Sequence, residues 1–366
     1  MKAKAIIEHI ESLAPREAVL PGDRVGLQIG DPEREIKIVL IALTPTAAVA
    51  DEAARRGADM LLTHHPILFE PVDSISPATE TGRILLALGR TGIVAYSAHT
   101  NLDGAPEGVT AALCRKLGFE ETEPLFHYFT PEVKKLVTFV PAEHLERVAK
   151  AMGDAGAGII GDYSHCSFRM NGTGAYIPME GADPYAGKIG KLERAAEARI
   201  EVLVSKKTLP RVLDAMFEAH PYEEVAYDVY PLENADRRFA MGAAATLPEP
   251  LSFRGLLGEV KKKLGLAAIR YAGDAERIVR RVAVCGGAGS NLLPAVIAKG
   301  CEAFITGDVK YHFALEAVQK GIAVADIGHH ESELPVVEHL LKLLETRFPE
   351  IRFLACETET NPFKYL

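Results

Sequence analysis

Short apolar runs alternate with stretches of helical composition through the first third of the chain. Positions 36–43, 58–63 and 93–98 are β-rich apolar runs, and 47–56 and 80–90 have helical composition between them. That βαβα order predicts a mostly parallel sheet with covering helices. The last third repeats the design, with strands expected at 281–285, 303–306 and 322–327 and helices at 292–299 and 313–319. Arg56-Gly57-Ala58-Asp59-Met60-Leu61-Leu62-Thr63 lines up with Lys299-Gly300-Cys301-Glu302-Ala303-Phe304-Ile305-Thr306, and Thr91-Gly92-Ile93-Val94 parallels Lys320-Gly321-Ile322-Ala323. The pattern reads as two related α/β halves, although any two strand–helix units share some of this likeness.

The middle differs. Strands at 134–140, 167–170, 198–203 and 224–229 and helices at 145–152 and 209–218 give the order β-α-β-β-α-β, which predicts an inserted ferredoxin-like α+β domain. The expected division is 1–129 and 235–366 for the two halves of one α/β domain, with 130–234 as the insert.

Composition narrows the class. The 366 residues exceed one typical domain, and 48% hydrophobic with 25% charged is an ordinary globular balance. A net charge of −9 with no basic block argues against bulk nucleic-acid binding. Lys261-Lys262-Lys263 lies on an amphipathic stretch and reads as a solvated face. Five cysteines (Cys114, Cys166, Cys285, Cys301 and Cys356) without a CxxC fit a reducing compartment. The acid near the start is unlike a signal peptide, and no apolar run is long enough for a membrane span, so a cytoplasmic protein is expected.

The chemistry gathers at strand ends. In open α/β sheets, ligands collect beyond the carboxyl ends of the strands. Four polar sets fall there: His64-His65-Pro66, His99-Thr100-Asn101-Leu102-Asp103, Gly307-Asp308-Val309-Lys310-Tyr311-His312 and Gly328-His329-His330-Glu331-Ser332-Glu333. They hold six of the twelve histidines, and this clustering decides for a metal site over scattered hydrogen-bonded histidines. The proposed ligands are His64, His65, Asp103, His329 and Glu333. Imidazole and carboxylate suit zinc, iron, manganese or cobalt. Five ligands with two carboxylates exceed the need of one structural zinc, so two divalent ions sharing Glu333 or Asp103 is the economical reading. His329 and Glu333, four apart, share a face if a helix starts near His330. His330 is a weaker candidate.

Around this set, His99 and His312 are candidate acid–base residues, with loop-fixing hydrogen bonds as the competing role. Asp308 and Lys310 are candidates for binding an anionic substrate or supporting ligands, and Asp308 for capping the next helix. Asp23–Gly30 is a polar loop that either approaches the site or is a plain turn. Gly286-Gly287-Ala288-Gly289-Ser290 has the look of a phosphate-cradling loop without the spacing of a nucleotide fingerprint. His165 and Cys166 are sequence neighbours and form no nucleophile pair.

Together with Asn361-Pro362-Phe363, these motifs resemble the Nif-three-like family, whose members are catalogued as homologues of a type 2 GTP cyclohydrolase, and the resemblance spans nearly the whole chain. It implies a dinuclear metal centre on the same five residues, and a ring-shaped homohexamer with its sites facing the cavity. It also implies a middle domain similar to the trimeric PII and divalent-cation-tolerance fold. Tyr163–Phe168 and His220–Tyr227 carry that last likeness. The chain departs from the family where many members have Trp-Asp-Asn and this one has Gly22-Asp23-Arg24. It departs again where many have Leu-Asp-x-Thr and this one has Leu43-Thr44-Pro45-Thr46.

The function expected is a metal-dependent hydrolase acting on a small, nucleotide-like substrate. The family label points to GTP, with hydroxide attacking C8 and opening the imidazole ring. The alternative is a metal-binding regulatory or delivery protein without turnover. A scaffold for protein partners has no positive support in the sequence.

Overall fold

Apolar runs become the central strands of two sheets. The computed structural model describes residues 1–359 and 361–364. In chain order the strands are Gly26–Ile29 (β1), Ile38–Ala42 (β2), Met60–Thr63 (β3), Val94–Ser97 (β4), Thr122–His127 (β5), Val133–Pro141 (β6), Ser167–Tyr176 (β7), Glu193–Ser205 (β8), Tyr227–Pro231 (β9), Ala240–Ser252 (β10), Arg270–Ala272 (β11), Ile278–Ala288 (β12), Ala303–Gly307 (β13), Ala323–Asp326 (β14) and Arg352–Ala355 (β15). They divide between two units, Met1–Phe129 with Asp236–Leu366, and Thr130–Ala235.

The larger unit holds both α/β sheets. One has the order β1-β4-β3-β2-β15, parallel except for β1. Its central strands β2, β3 and β4 are buried on both faces, which is why they read as unbroken apolar runs rather than alternating ones. Val49, Ala50 and Ala53 of helix Ala47–Arg55 and Ile84, Leu85 and Leu88 of helix Glu80–Thr91 cover one face. Thr46 and Thr79 cap these helices through side-chain oxygens, each worth about 1 kcal/mol. Gly92, left-handed at φ 68°, ends the second. The other face packs on Ile6 and Ile10 of helix Ala3–Leu13 and on Val336, Leu340 and Leu344 of helix Pro335–Arg347.

The second sheet has the order β11-β14-β13-β12-β10-β5. Only β12, β13 and β14 run parallel; β10, β5 and β11 pair antiparallel, so the expected parallel sheet is confined to the centre. No crossover helix precedes β10, and an antiparallel partner needs none. The sheets also exchange edges. β5, from the first part of the chain, closes the second sheet on β10, and β15 closes the first on β2.

The smaller unit is a four-stranded antiparallel sheet ordered β7-β8-β6-β9, with helices Leu145–Asp154 and Leu209–Ala219. Ala198, Ile200, Val202 and Val204 of β8 are buried at alternate positions, and Ile200, Val202 and Val204 pack on Val148, Met152, Val212 and Met216 of the helices. No helix among the described residues is long and apolar enough to cross a membrane.

Candidate metal centre

The loops that leave the parallel strands of both sheets meet at one place in the larger unit. His64 and His65 follow β3 directly. Asp103 ends the short helix Thr100–Asp103 after β4, and His329 and Glu333 open and close the turn His329–Glu333 after β14. Glu333 lies between the histidines. Its Oε2 is 3.1 Å from Nε2 of both His65 and His329, and its Oε1 is 3.8 Å from His64 Nε2. His64 Nε2 is in turn 3.4 Å from Asp103 Oδ1. Ligands about 2.1 Å from a tetrahedral ion stand roughly 3.4 Å apart, so this spacing is that of a coordination shell.

Each imidazole is anchored through the nitrogen that faces away. The Ala98 carbonyl accepts from His64 Nδ1 at 2.9 Å, Asp308 from His329 Nδ1 at 2.8 Å and Asp23 from His99 Nδ1 at 2.8 Å, while the Thr44 hydroxyl lies 2.9 Å from His65 Nδ1. These partners hold the rings so that Nε2 is the nitrogen left over, as outer partners do around metal ligands. His64 Nε2, Asp103 Oδ1 and Glu333 Oε2 are then buried without a hydrogen-bond partner. An unsatisfied buried polar atom costs about 1–3 kcal/mol, so three facing one spot call for a group they can all bind. Three sets have ligand-type atoms within 4.8 Å of one another: His64–Asp103–Glu333, His65–His329–Glu333 and His64–His65–His99. The nitrogen and carboxylate donors fit a divalent ion.

Glycines make the close approach possible. Gly287 sits at φ 62°, where a Cβ would collide with Glu333 Oε1, and its amide donates to Ser332 at 2.8 Å. Gly287 of the Gly286–Ser290 loop therefore packs against a carboxylate.

The sequence model of the family described as Duf34/NIF3 (NGG1p interacting factor 3) matches residues 1–362. The chain belongs to the Duf34/NIF3 family. A Bacillus subtilis relative named GTP cyclohydrolase 1 type 2 homolog is 37% identical, the match covering 100% of this chain and 99% of that protein. A Mycobacterium leprae protein of the same name is also 37% identical, over 98% of this chain and 94% of its own length. Among solved structures, a Bacillus cereus protein related to NIF3 matches with a TM-score of 0.79 and 38% identity, covering 100% and 99% of the two chains.

Electrostatics of the Duf34/NIF3 site follow from crowding. Burial opposes charge on His64, but Asp103 and Glu333 overcome it and raise its pKa to about 9. Glu333 itself raises His329 to about 9 against burial, with help from Asp308. Burial pushes His65 down despite Glu333. Burial and the neighbouring Glu333 push Asp103 up against the pull of His64. Burial opposes charge on Glu333, but the imidazoles of His329, His64 and His65 turned towards it outweigh that burial and hold it well below the usual carboxylate range. Protons on the metal-free cluster thus stand where a cation would bind.

The remaining candidates divide. His99 lies in the cluster, its ring 5.1 Å from that of His64. Asp308, at φ 53°, holds His329 and does not cap the following helix, whose N-cap is Lys310. His312 is exposed on that helix, stacks edge-on to Tyr311 and stays outside the three ligand sets. His330 has both ring nitrogens buried and unpaired. The sequence left Asp23 undecided and marked Thr44 only as part of a departure from the family that would alter a polar contact near the site. Thr44 follows β2, where a strand-end rule applied to every polar residue would have reached it; Asp23 precedes β1, where that rule gives no signal. Glu359, which accepts from the Leu43 and Thr44 amides at 2.7 and 2.6 Å, carries no such signal.

Proposed function

We propose that this Duf34/NIF3 chain holds two divalent ions and hydrolyses a nucleotide-like substrate. The reading rests on the two triads that meet at Glu333. His64, Asp103 and Glu333 would hold an inner ion, and His65, His329 and Glu333 an outer one. Zinc, iron, manganese and cobalt suit these donors. Bound ions would supply Lewis acidity, lowering the pKa of water and stabilising developing negative charge. His99, oriented by Asp23, is placed to move a proton at its Nε2. The relatives' name, GTP cyclohydrolase 1 type 2 homolog, supports a nucleotide. A cavity of about 640 Å3 beside Asp308, lined by Lys310, Arg270, Tyr311 and Ser290, would take its anionic part.

The smaller unit reads as ferredoxin-like, on its β-α-β-β-α-β order and its β7-β8-β6-β9 sheet. A homohexamer with the sites facing its cavity is the assembly we infer.

The test is metal content by inductively coupled plasma mass spectrometry, for the wild type and Glu333→Ala, followed by turnover of GTP. About two ions per chain in the wild type, with affinity reduced more than about a hundredfold in the variant, is the expected result. Full occupancy in Glu333→Ala would sink the two-triad reading. Metal loading without turnover of GTP or other nucleotides would leave the site as a binding centre.

A further inference from the structure

Beyond β15 the chain does not leave the sheet. Cys356 N donates to Ile41 O at 2.8 Å, and the next turn folds onto Glu52, a carboxylate only 1% exposed on helix Ala47–Arg55. Glu52 accepts from the amides of Glu357 and Thr358, the Thr358 hydroxyl and Arg56. Pinned there, the chain turns Glu359 across the end of β2, where both its oxygens accept amides, from Leu43 and Thr44. Two residues later, Asn361 Nδ2 donates to Glu331 Oε1 at 2.5 Å. Asn361 is itself fixed, its Oδ1 accepting from Phe363 N at 2.8 Å.

These two contacts reach the outer triad through different ligands. Thr44, whose amide Glu359 holds, sets its hydroxyl 2.9 Å from His65 Nδ1. Glu331 lies inside the His329–Glu333 turn that carries the other two ligands. We propose that Cys356–Glu359, together with Asn361, acts as a strap that positions the outer triad, Glu359 through Thr44 on His65 and Asn361 through Glu331 on the turn. The inference rests on the two-triad reading for its effect on metal, but the contacts themselves exist in the metal-free protein. A hydroxyl suits this place because it can donate to His65 Nδ1 or accept from it. It can therefore follow the ring when a cation replaces the proton at Nε2. A carboxylate at position 44 could only accept.

Thr44→Val, Thr44→Ser and Glu359→Ala test the strap in the full-length chain, with thermal melting to confirm folding. Outer-site affinity for zinc should fall about 10–100-fold in Thr44→Val and about tenfold in Glu359→Ala, while inner-site affinity changes less than about threefold. Thr44→Ser should restore the wild-type value. In metal-free protein, the nitrogen-15 resonance of His65 Nδ1 should move in Thr44→Val and in Glu359→Ala, which does not touch His65, and return in Thr44→Ser. Wild-type affinity and an unmoved resonance in both Thr44→Val and Glu359→Ala would overturn the proposal. A wild type that takes up no zinc would remove the metal reading alone, and the resonance would still decide the strap. If Glu359→Ala does not fold, Thr44→Val carries the decision.

Discussion

The two triads use the same carboxylate and differ in nearly everything else. In the inner one, His64 is 1% exposed and Asp103 20%, and the fixed anchor of His64 is a backbone carbonyl. In the outer one, His65 is 22% and His329 38% exposed, and side chains from other loops, Thr44 and Asp308, do the anchoring. The inner triad adds a second carboxylate, and so offers more negative charge in less water. An ion there would be held tightly and exchange slowly. The outer triad faces the solvent side and leaves more room for an exchangeable partner. With both triads loaded, the inner ion would be the retained one and the outer ion the working one.

The largest effect on that comparison should come from removing a ligand of one side. Asp103→Asn should empty the inner position and His329→Ala the outer one, each leaving about one ion per chain at micromolar zinc. The lost ion should be the slowly exchanging one in Asp103→Asn only, as a chelator-exchange time course would read. Loss of both ions in either variant would mean that the triads cannot be separated. A smaller effect should appear with pH in metal-free protein. His64 and His329 are raised to about 9 in the folded state, so the stability they add is present below pH 6.5 and lost as pH rises towards 9. Melting of the metal-free chain should fall by roughly 5 °C across that window and that of the loaded chain should not. A parallel fall in both would place the titration elsewhere. The smallest effect should be that of His312→Ala, which leaves zinc content unchanged and stability within about 0.5 kcal/mol. A lost ion there would bring the exposed histidine back into the site.

How much of this could be read from the sequence follows the same division by range. β2, β3 and β4 announce themselves because both faces are buried, and the rule that ligands gather beyond strand ends reaches all five residues around Glu333. β5 is silent, since Leu125 alone of its six residues is buried, and edge strands such as β1, β11 and β15 are too short to show a period. The partners that orient the rings are harder to see than the rings. Asp23 is in a loop that reads equally well as a turn. Thr44 shows only as a departure from a family pattern. Glu359 meets Leu43 across most of the chain, and local pattern carries nothing about that contact. The Gly286–Ser290 loop misleads for the opposite reason. Its glycines look made for a phosphate, but Gly287 admits the carboxylate of Glu333 and Gly289 packs against Thr306, Cys285 and Phe304.

The exchange of edge strands between the sheets has a consequence for the order of events on the ribosome. When the segment carrying His64, His65 and Asp103 has emerged, the outer side of β2 is still a bare strand edge. It gains its partner only when residues 352–355 are made. A nascent chain must carry that open edge through most of its synthesis, which invites pairing with other chains and gives a chaperone something to shield. Capture of an ion by the proposed ligands would not precede that closure by much, because His329 and Glu333 are also late. Any metal loading at these residues would await the synthesis of residues 329–355.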